Sequence, residues 1–452
     1  MTRVLAVDLG ATSVRVAEVV FPDAVEAPWT LTVLHRHRHR PRTFRDGTLR
    51  WDWDEVLSHV EEGLSKGLAR DHLGPVASIG VDTWGVDYGL LANGMLLSPP
   101  VSYRDPRTRN WNETLDRLGR ERLFERTAIQ LMPINTVFQL ACHSRDELAA
   151  ADQLLMLPEL AVAHLTGAQV GEISSAGTTG LLECSTGDWA TSLLDELGLP
   201  LRPIALPRFS GWGARAGAWR GVPVHLVSGH DTASAIMTVT GSPGDVAFVS
   251  SGSWLLVGTE RAAPDNSPAA RDASFSSEPT GYGSYGFLTN LPGFMLLERL
   301  LEHWGEPPNS NVLKAAEAVP ADVAECDVRE FENLAGAELE AALGKHYRGV
   351  VDRPALVTVL LTSMATAVAS TVQTVGDLTG RRMGEIEILG GGTRIPLFAD
   401  LLASRVDVRV RTGSPEATAL GNAIAQGIAV GRWADVAAAR ADLATARLAS
   451  NA

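Results

Sequence analysis

Two stretches decide the fold. Val4-Leu5-Ala6-Val7-Asp8-Leu9-Gly10-Ala11-Thr12-Ser13-Val14-Arg15-Val16 lies near the start, and Val246-Ala247-Phe248-Val249-Ser250-Ser251-Gly252-Ser253-Trp254-Leu255-Leu256-Val257-Gly258 lies in mid-chain. In each, β-favouring residues run into a turn of Gly with Ser or Thr and leave again as β-favouring residues. Glycine in such a turn lets backbone N–H groups approach an anion, and the flanking hydroxyls add donors. Either copy alone reads as an ordinary β-hairpin. Two of them, each opening a similar stretch of chain, suit a polyphosphate gripped from both sides of a cleft. Only the first carries an acid, Asp8, which assigns the handling of a metal ion to that half.

The chain has 452 residues, more than one ordinary core accommodates, so two domains are expected. A composition of 45% hydrophobic and 20% charged residues is globular. The net charge of −14 argues against a nucleic-acid partner, which leaves a basic footprint. It does not argue against a small anionic substrate, because a cleft can be locally positive on an acidic protein. Cys142, Cys184 and Cys326 are odd in number and widely spaced. They fit neither a disulfide framework nor a zinc site, and a reducing cytoplasm is expected. Met1-Thr2-Arg3 runs directly into a strand, with no charged leader and apolar signal core. Residues 354–376 hold no charge and approach the length of a membrane span. Their Thr358, Thr362, Ser363, Thr366, Ser370, Thr371 and Thr374 suit a buried helix better than a lipid-facing one, so no membrane partner is expected.

Along the first half, Leu31-Thr32-Val33-Leu34 leads into His35-Arg36-His37-Arg38-His39-Arg40. Alternation puts the histidines on one face of an extended strand and the arginines on the other. Metal or RNA binding suits such a run, but a solvated sheet edge is the usual explanation and the one preferred. Val56, Val60, Leu64 and Leu68 have helical spacing. The strand ending at Val81 delivers Asp82-Thr83-Trp84-Gly85-Val86-Asp87, and a strand over 223–228 delivers Gly229-His230-Asp231-Thr232. Ligands in α/β proteins bind at such carboxyl ends. Gly241-Ser242-Pro243-Gly244 reads as a boundary, giving domains 1–244 and 245–452. In the second, the strand Ile386-Glu387-Ile388-Leu389 enters Gly390-Gly391-Gly392, and a last helix starts near Pro415-Glu416-Ala417. Each half thus reads as a hairpin, further strands, then helices: a divergent duplication.

Asp8-Leu9-Gly10-Ala11-Thr12-Ser13, Asp82-Thr83-Trp84-Gly85-Val86-Asp87, Tyr103-Arg104-Asp105, Pro133-Ile134-Asn135-Thr136 with Gln139-Leu140, and His230-Asp231-Thr232-Ala233-Ser234-Ala235 resemble the FGGY carbohydrate kinases. So do Ser250-Ser251-Gly252-Ser253-Trp254 and Gly390-Gly391-Gly392, in order over nearly the whole chain. Within that family the resemblance is to the rhamnulokinase branch. It implies an α/β fold of two ribonuclease H-like (actin-like ATPase) domains with a cleft between them, the first for the sugar and the base, the second for the nucleotide. It also implies ATP-dependent phosphorylation of L-rhamnulose at its 1-hydroxyl, with Mg2+. Another ketose or polyol (fuculose, xylulose, ribulose), or a non-catalytic sugar-responsive regulator on the same fold, is the alternative.

By the same resemblance Asp231 is the base that takes the hydroxyl proton, and His230, Thr232, Gly85 and Asn290 contact the sugar. For Asp231 the structural alternative is an N-cap. Asp8 holds Mg2+, which takes only one or two carboxylates beside nucleotide phosphates. Ala11, Thr12, Ser13, Val14 and Arg15 hold phosphate, Ser253 lies against the phosphates and Gly391 against the adenosine. Ser253 replaces the usual Thr and keeps its hydroxyl. Glu298 stands where the branch has a nucleotide-contacting Gln, placing a negative charge there. Trp84 is expected beside Gly85 as a wall of the sugar pocket, with a core tryptophan as the alternative. A lysine-bearing Gly-rich phosphate loop of the Gly-x-x-x-x-Gly-Lys-Ser/Thr type does not occur. The expected ligands are thus a small sugar and ATP, with no nucleic acid and no membrane.

Overall fold

The computed structural model describes residues 1–24, 27–199, 206–321, 323–324, 326–446 and 448–451. In chain order the elements that position the site begin with β1 (Thr2–Gly10), β2 (Ser13–Phe21), β3 (Trp29–Arg38), α1 (Trp53–Leu68) and β4 (Ser78–Thr83). Next come α2 (Ile173–Gly177), β5 (Arg215–Trp219), β6 (Val222–His225) and α3 (Asp231–Ile236). They are followed by β7 (Val246–Ser251), β8 (Trp254–Arg261), β9 (Ser276–Pro279), β10 (Tyr285–Pro292), α4 (Met295–Trp304) and α5 (Arg353–Thr379). The chain continues through β11 (Glu385–Leu389), α6 (Pro396–Ala403), β12 (Arg409–Thr412), α7 (Ala417–Ala429), α8 (Val436–Thr445) and β13 (Leu448–Asn451).

The chain forms two compact units. The first comprises Met1–Thr240, Ala262–Gly286 and Thr418–Ala452; the second comprises Gly241–Arg261 and Phe287–Ala417. Its sheet, in the first unit, has seven strands in the order β5-β6-β4-β1-β2-β3-β13. β1 pairs antiparallel with β2 and parallel with β4, and β2 pairs antiparallel with β3. In the second unit the order runs β10-β8-β7-β11-β12, with β7 antiparallel to β8 and parallel to β11. Strand for strand, β6-β4-β1-β2-β3 and β12-β11-β7-β8-β10 are the same arrangement. The expected duplication is therefore structural: each hairpin is the centre of a sheet.

The units differ from the consecutive halves 1–244 and 245–452 expected from sequence. The cause is visible in β1, which is buried on both faces. Leu5, Val7 and Leu9 pack with Val56, Val60 and Leu64 of α1, whereas Val4 and Ala6 pack with Leu420, Ala423 and Ile424 of α7. Side chains alternate across a strand, so one continuous apolar run feeds two cores. Burying each such side chain contributes about 1.5–3 kcal/mol. Residues after Thr418 return to the first unit because its second face must be covered.

In the second unit α5 is the one described helix long and apolar enough to cross a membrane, and 78% of its apolar window is buried inside the protein. Its hydroxyls bond back to the preceding turn. Ser363 donates to Val359 O at 2.8 Å, Thr366 to Thr362 O at 2.9 Å and Thr379 to Val375 O at 2.7 Å. Such back-bonding satisfies a hydroxyl that has no water to turn to. α5 is a core helix, as its Thr and Ser content indicated.

One contact fixes how α7 meets α3. A Cβ on Gly421 would lie 1.8 Å from Ser234 O, a backbone atom that cannot swing aside. Gly421→Ala is expected to destabilise the protein by about 1–3 kcal/mol, the range for overpacking. Chemical denaturation monitored by circular dichroism reads the loss.

Candidate active site

In the first unit the hairpin brings charges together. Asp8 of β1 faces Arg15 of β2 across the antiparallel pair and Asp82 of β4 across the parallel pair. Arg15 Nη1 donates to Asp8 Oδ2 at 2.7 Å, with the Asp8 side chain only 3% exposed. Asp82 is fully buried, and burial first, then the charge of Asp8, pushes its carboxyl well above the ordinary range. Asn422 Nδ2 of α7 donates to Asp82 Oδ2 at 2.5 Å, while Asp82 Oδ1 has no hydrogen-bond partner. Gly10 pairs with Ser13, which leaves Ala11 and Thr12 as the turn and puts Ser13, Val14 and Arg15 on β2. His39 ties this turn down: its backbone N–H donates to Thr12 O at 3.1 Å and its ring meets Gly10 O at 3.0 Å. Burial lowers the His39 pKa to about 4, so the ring is neutral at pH 7. A carbonyl accepts, so the ring proton sits on Nε2.

Asp231 is the first residue of α3, and His230 is the N-cap, with no side-chain capping bond. Asp231 therefore does not cap this helix. Its side chain is 31% exposed. Burial, then the charge of Asp8, pushes its carboxyl up to about 7, while hydrogen bonds from Thr232 and the charge of Arg15 act in the opposite direction. Thr232 Oγ1 donates to Asp231 Oδ1 at 3.2 Å. His230 stands between two acids, with Nε2 at 3.4 Å from Asp231 Oδ1 and Nδ1 at 3.4 Å from Glu278 Oε2. Burial favours the neutral form of both partners, holding His230 below its ordinary value and Glu278 of β9 above it. Glu172 fixes the backbone beneath. It accepts from Ser174 N and Ser175 N at 3.0 Å, from Gly229 N at 2.9 Å, and from the Ser174 hydroxyl.

Between β4 and the rest, residues 84–87 turn sharply. Asp87 N donates to Gly85 O at 2.9 Å with Val86 at φ 66°, a γ-turn centred on a β-branched residue. Such a conformation persists only where its surroundings impose it. Here Thr178 Oγ1 accepts from Val86 N at 2.9 Å, and Thr136 Oγ1 donates to Val86 O at 2.7 Å. A Cβ on Gly85 would lie 2.8 Å from Thr178 Cγ2, so no larger residue fits. Trp84 is a core residue rather than a pocket wall. It is 6% exposed, packs between Trp51 and His39, and donates Nε1 to Asp87 Oδ2 at 2.9 Å. Tyr103, half-buried, lies in the field of Asp87 and Asp231; burial first, and those charges after it, push its phenol up.

In the second unit the turn between β7 and β8 is the meeting point. Phe294 N donates to Gly252 O at 3.2 Å and Met295 N to Ser253 O at 3.1 Å, so α4 starts on the turn. Glu298, exposed, lies one turn further along α4. Ser251 Oγ donates to Leu389 O and accepts from Gly392 N at 3.0 Å, which ties the triple glycine to the same hairpin. Gly391 is exposed at the head of a short 3-10 turn. Asn290 is half-buried on β10 and belongs to the second unit, unlike Gly85, His230 and Thr232.

Residues 3–236 match the N-terminal domain, and residues 247–430 the C-terminal domain, of the FGGY family of carbohydrate kinases. The chain belongs to that family. It is 35% identical over 455 residues to the rhamnulokinase of Pectobacterium carotovorum subsp. carotovorum (strain PC1), covering 97% of this chain and 90% of that one. It is 32% identical over 468 residues to the rhamnulokinase of Enterococcus faecalis (strain ATCC 700802 / V583), covering 98% and 92%. Among solved structures, gluconate kinase from Lactobacillus acidophilus matches with a TM-score of 0.77 at 15% identity, over 97% of this chain and 91% of that one. Plasmodium falciparum glycerol kinase with ADP matches with a TM-score of 0.77 at 15% identity, over 100% and 94%. At that identity the likeness concerns the fold alone, the two-domain α/β fold of the actin-like type. The protein is a sugar kinase, and ATP is the phosphoryl donor that membership implies.

Several residues that shape the kinase's site lie outside the expected set. Glu172 carried one faint signal, an acid directly before the helix-starting Ile173-Ser174-Ser175. Glu278 and the Asp82–Asn422 bond carried none that spacing reveals. Glu172→Ala would leave the N–H groups of Ser174, Ser175 and Gly229 without an acceptor. Each buried unsatisfied donor costs about 1–3 kcal/mol, so a loss of roughly 3 kcal/mol or more is expected in urea unfolding.

Proposed function

We propose that this kinase phosphorylates the 1-hydroxyl of L-rhamnulose, giving L-rhamnulose 1-phosphate and ADP, in the cytoplasm. The observation that carries the sugar assignment is identity of 35% over 97% of the chain to a protein named rhamnulokinase. The rival is a kinase for another ketose or polyol, since structures of the same fold are named xylulose, gluconate and glycerol kinases. Initial rates over a panel of sugars separate them. L-rhamnulose is expected to give a higher kcat/KM than L-fuculose, D-xylulose, L-ribulose or glycerol, and a better substrate among these would replace the assignment.

In the proposed mechanism Asp231 takes the proton of the 1-hydroxyl as that oxygen attacks the γ-phosphorus. The bond from the γ-phosphorus to the β–γ bridging oxygen breaks, and ADP leaves with the electron pair. Asp231 suits this role because it is reachable, stands at a strand–helix junction, and does not cap its helix. His230 and Thr232 orient its carboxylate at 3.4 and 3.2 Å and, with Gly85 and Asn290, contact the sugar. Ala11 to Arg15 and Ser253 contact the phosphates, with Gly391 and Glu298 at the nucleoside end. An oxygen-only donor set, with the orphaned Oδ1 of Asp82 beside Asp8, fits Mg2+. Asp8 would hold the ion, which neutralises charge on the phosphates. The first unit thus supplies the base, the metal ligand and most of the sugar contacts, with phosphate contacts from its hairpin, and the second supplies Asn290 and the remaining nucleotide contacts.

Asp231→Asn keeps the size of the side chain but cannot accept the proton. Turnover is expected to fall ~10²–10⁴-fold, with unfolding midpoint and ATP affinity near wild type. Because the group is ionised only above its pKa of about 7, kcat/KM should fall as pH drops below that value. A folded Asp231→Asn enzyme with near-normal turnover would exclude the mechanism.

A further inference from the structure

The alternating run at 35–40 is solvated on its arginine face, with Arg36, Arg38 and Arg40 exposed at the sheet edge, but its histidine face is covered. The side chain of His35 is only 8% exposed, because α1 lies across it. A Cβ on Gly63 of α1 would lie 2.4 Å from Val16 Cγ2 and 3.0 Å from His35 Cβ, so helix and strand are in direct contact. Onto the histidines of β3 the helix projects Glu55, His59 and Glu62, which share one face at spacings of four and three. His35 Nε2 is 3.1 Å from His59 Nδ1, and His59 Nδ1 is 3.4 Å from Glu62 Oε2. The His37 ring stacks on His59 with centroids 3.5 Å apart, and its Nε2 lies 3.4 Å from Glu55 Oε1. Lys66 Nζ reaches both His35 Nδ1, at 2.9 Å, and Glu62 Oε1, at 2.7 Å.

These separations have a chemical meaning. Two donors bound tetrahedrally to zinc at ~2.0–2.1 Å lie roughly 3.3 Å from each other. The 3.1 and 3.4 Å distances bracket that value, with His59 Nδ1 common to both. Imidazole nitrogen with one carboxylate selects a borderline transition metal over Mg2+, which prefers oxygen. We propose that His35, His59 and Glu62 form a zinc site, separate from the Asp8, Asp82 and Asp231 carboxylates, that pins β3 to α1. The ion takes His35 Nε2, His59 Nδ1 and one Glu62 oxygen, with water in the fourth position. The His35 proton then sits on Nδ1, facing Glu62 Oε1 at 3.6 Å, and Lys66 turns out to solvent. His37 and Glu55 form a neighbouring set that shares His59, so a single ion is expected.

The test is calorimetric titration of the untagged, metal-free full chain with Zn2+, without nucleotide. One ion per chain is expected. His59→Ala should weaken binding by more than the roughly 10–100-fold that loss of a supporting contact costs, with its metal-free unfolding temperature near wild type. Should His59→Ala not fold, Glu62→Gln removes one ligand of the proposed set and should also lose the ion. Wild-type protein that binds zinc no more tightly than His59→Ala overturns the proposal. So does loss of zinc on Glu55→Gln but not on Glu62→Gln, which would place the ion in the neighbouring set.

Discussion

Asp8 lies between Arg15 on one neighbouring strand and Asp82 on the other, and the chemistry of the first unit is arranged around that triplet. β-Pairing leaves no freedom here: the register that buries Leu5, Val7 and Leu9 also sets both carboxylates side by side. Like charges in a poorly solvated site repel strongly. The protein offsets this with the guanidinium of Arg15 and the amide of Asn422. The residual field reaches Asp231, which is held closer to neutral pH than an isolated carboxylate. Hydrophobic register thereby tunes an acid that lies more than two hundred residues further along the chain.

The two units show how a duplicated scaffold divides labour. Both hairpins sit at the centre of the same strand order, and both turns are tied to distant glycine-rich or histidine-bearing segments. In the first copy the strand delivers Asp8 two residues before the turn glycine; in the second the matching position is Ser250. A single exchange of carboxylate for hydroxyl separates the two strands at this position. The hydrogen-bonded turn geometry is kept in both.

Much of this was legible in the sequence, and what was hidden has a common cause. The hairpins, the buried helix over 353–379 and Asp231 at a strand–helix junction all leave local signals, since turn chemistry and periodicity act over a few residues. Trp84 did not separate: a tryptophan in a pocket and one whose N–H meets a buried Asp87 have the same local sequence. For the histidine run the exposed arginine face was legible, but nothing near it announces that α1 will cover the histidine face. Glu172 and Glu278 act on residues 57 and 48 positions away from them, Gly229 and His230, through contacts that no spacing encodes. Equally, the short β13 carries too little pattern to reveal its pairing with Trp29–Thr32 of β3.

That last pairing bears on how the molecule comes into being. The first unit is completed by segments made after the whole second unit: α7 covers one face of its sheet, and β13 extends the edge. Domains generally fold as they leave the ribosome, earliest first. Here the earlier one stays incomplete, because the core that holds Val4, Ala6, Val19 and Phe21 gains Leu420, Ala423, Ile424 and Trp433 only when residues beyond 418 have emerged. The nascent chain therefore carries a partly uncovered apolar sheet face until its last segments are made. It also follows that fusions or truncations near residue 450 act on the domain that begins at residue 1.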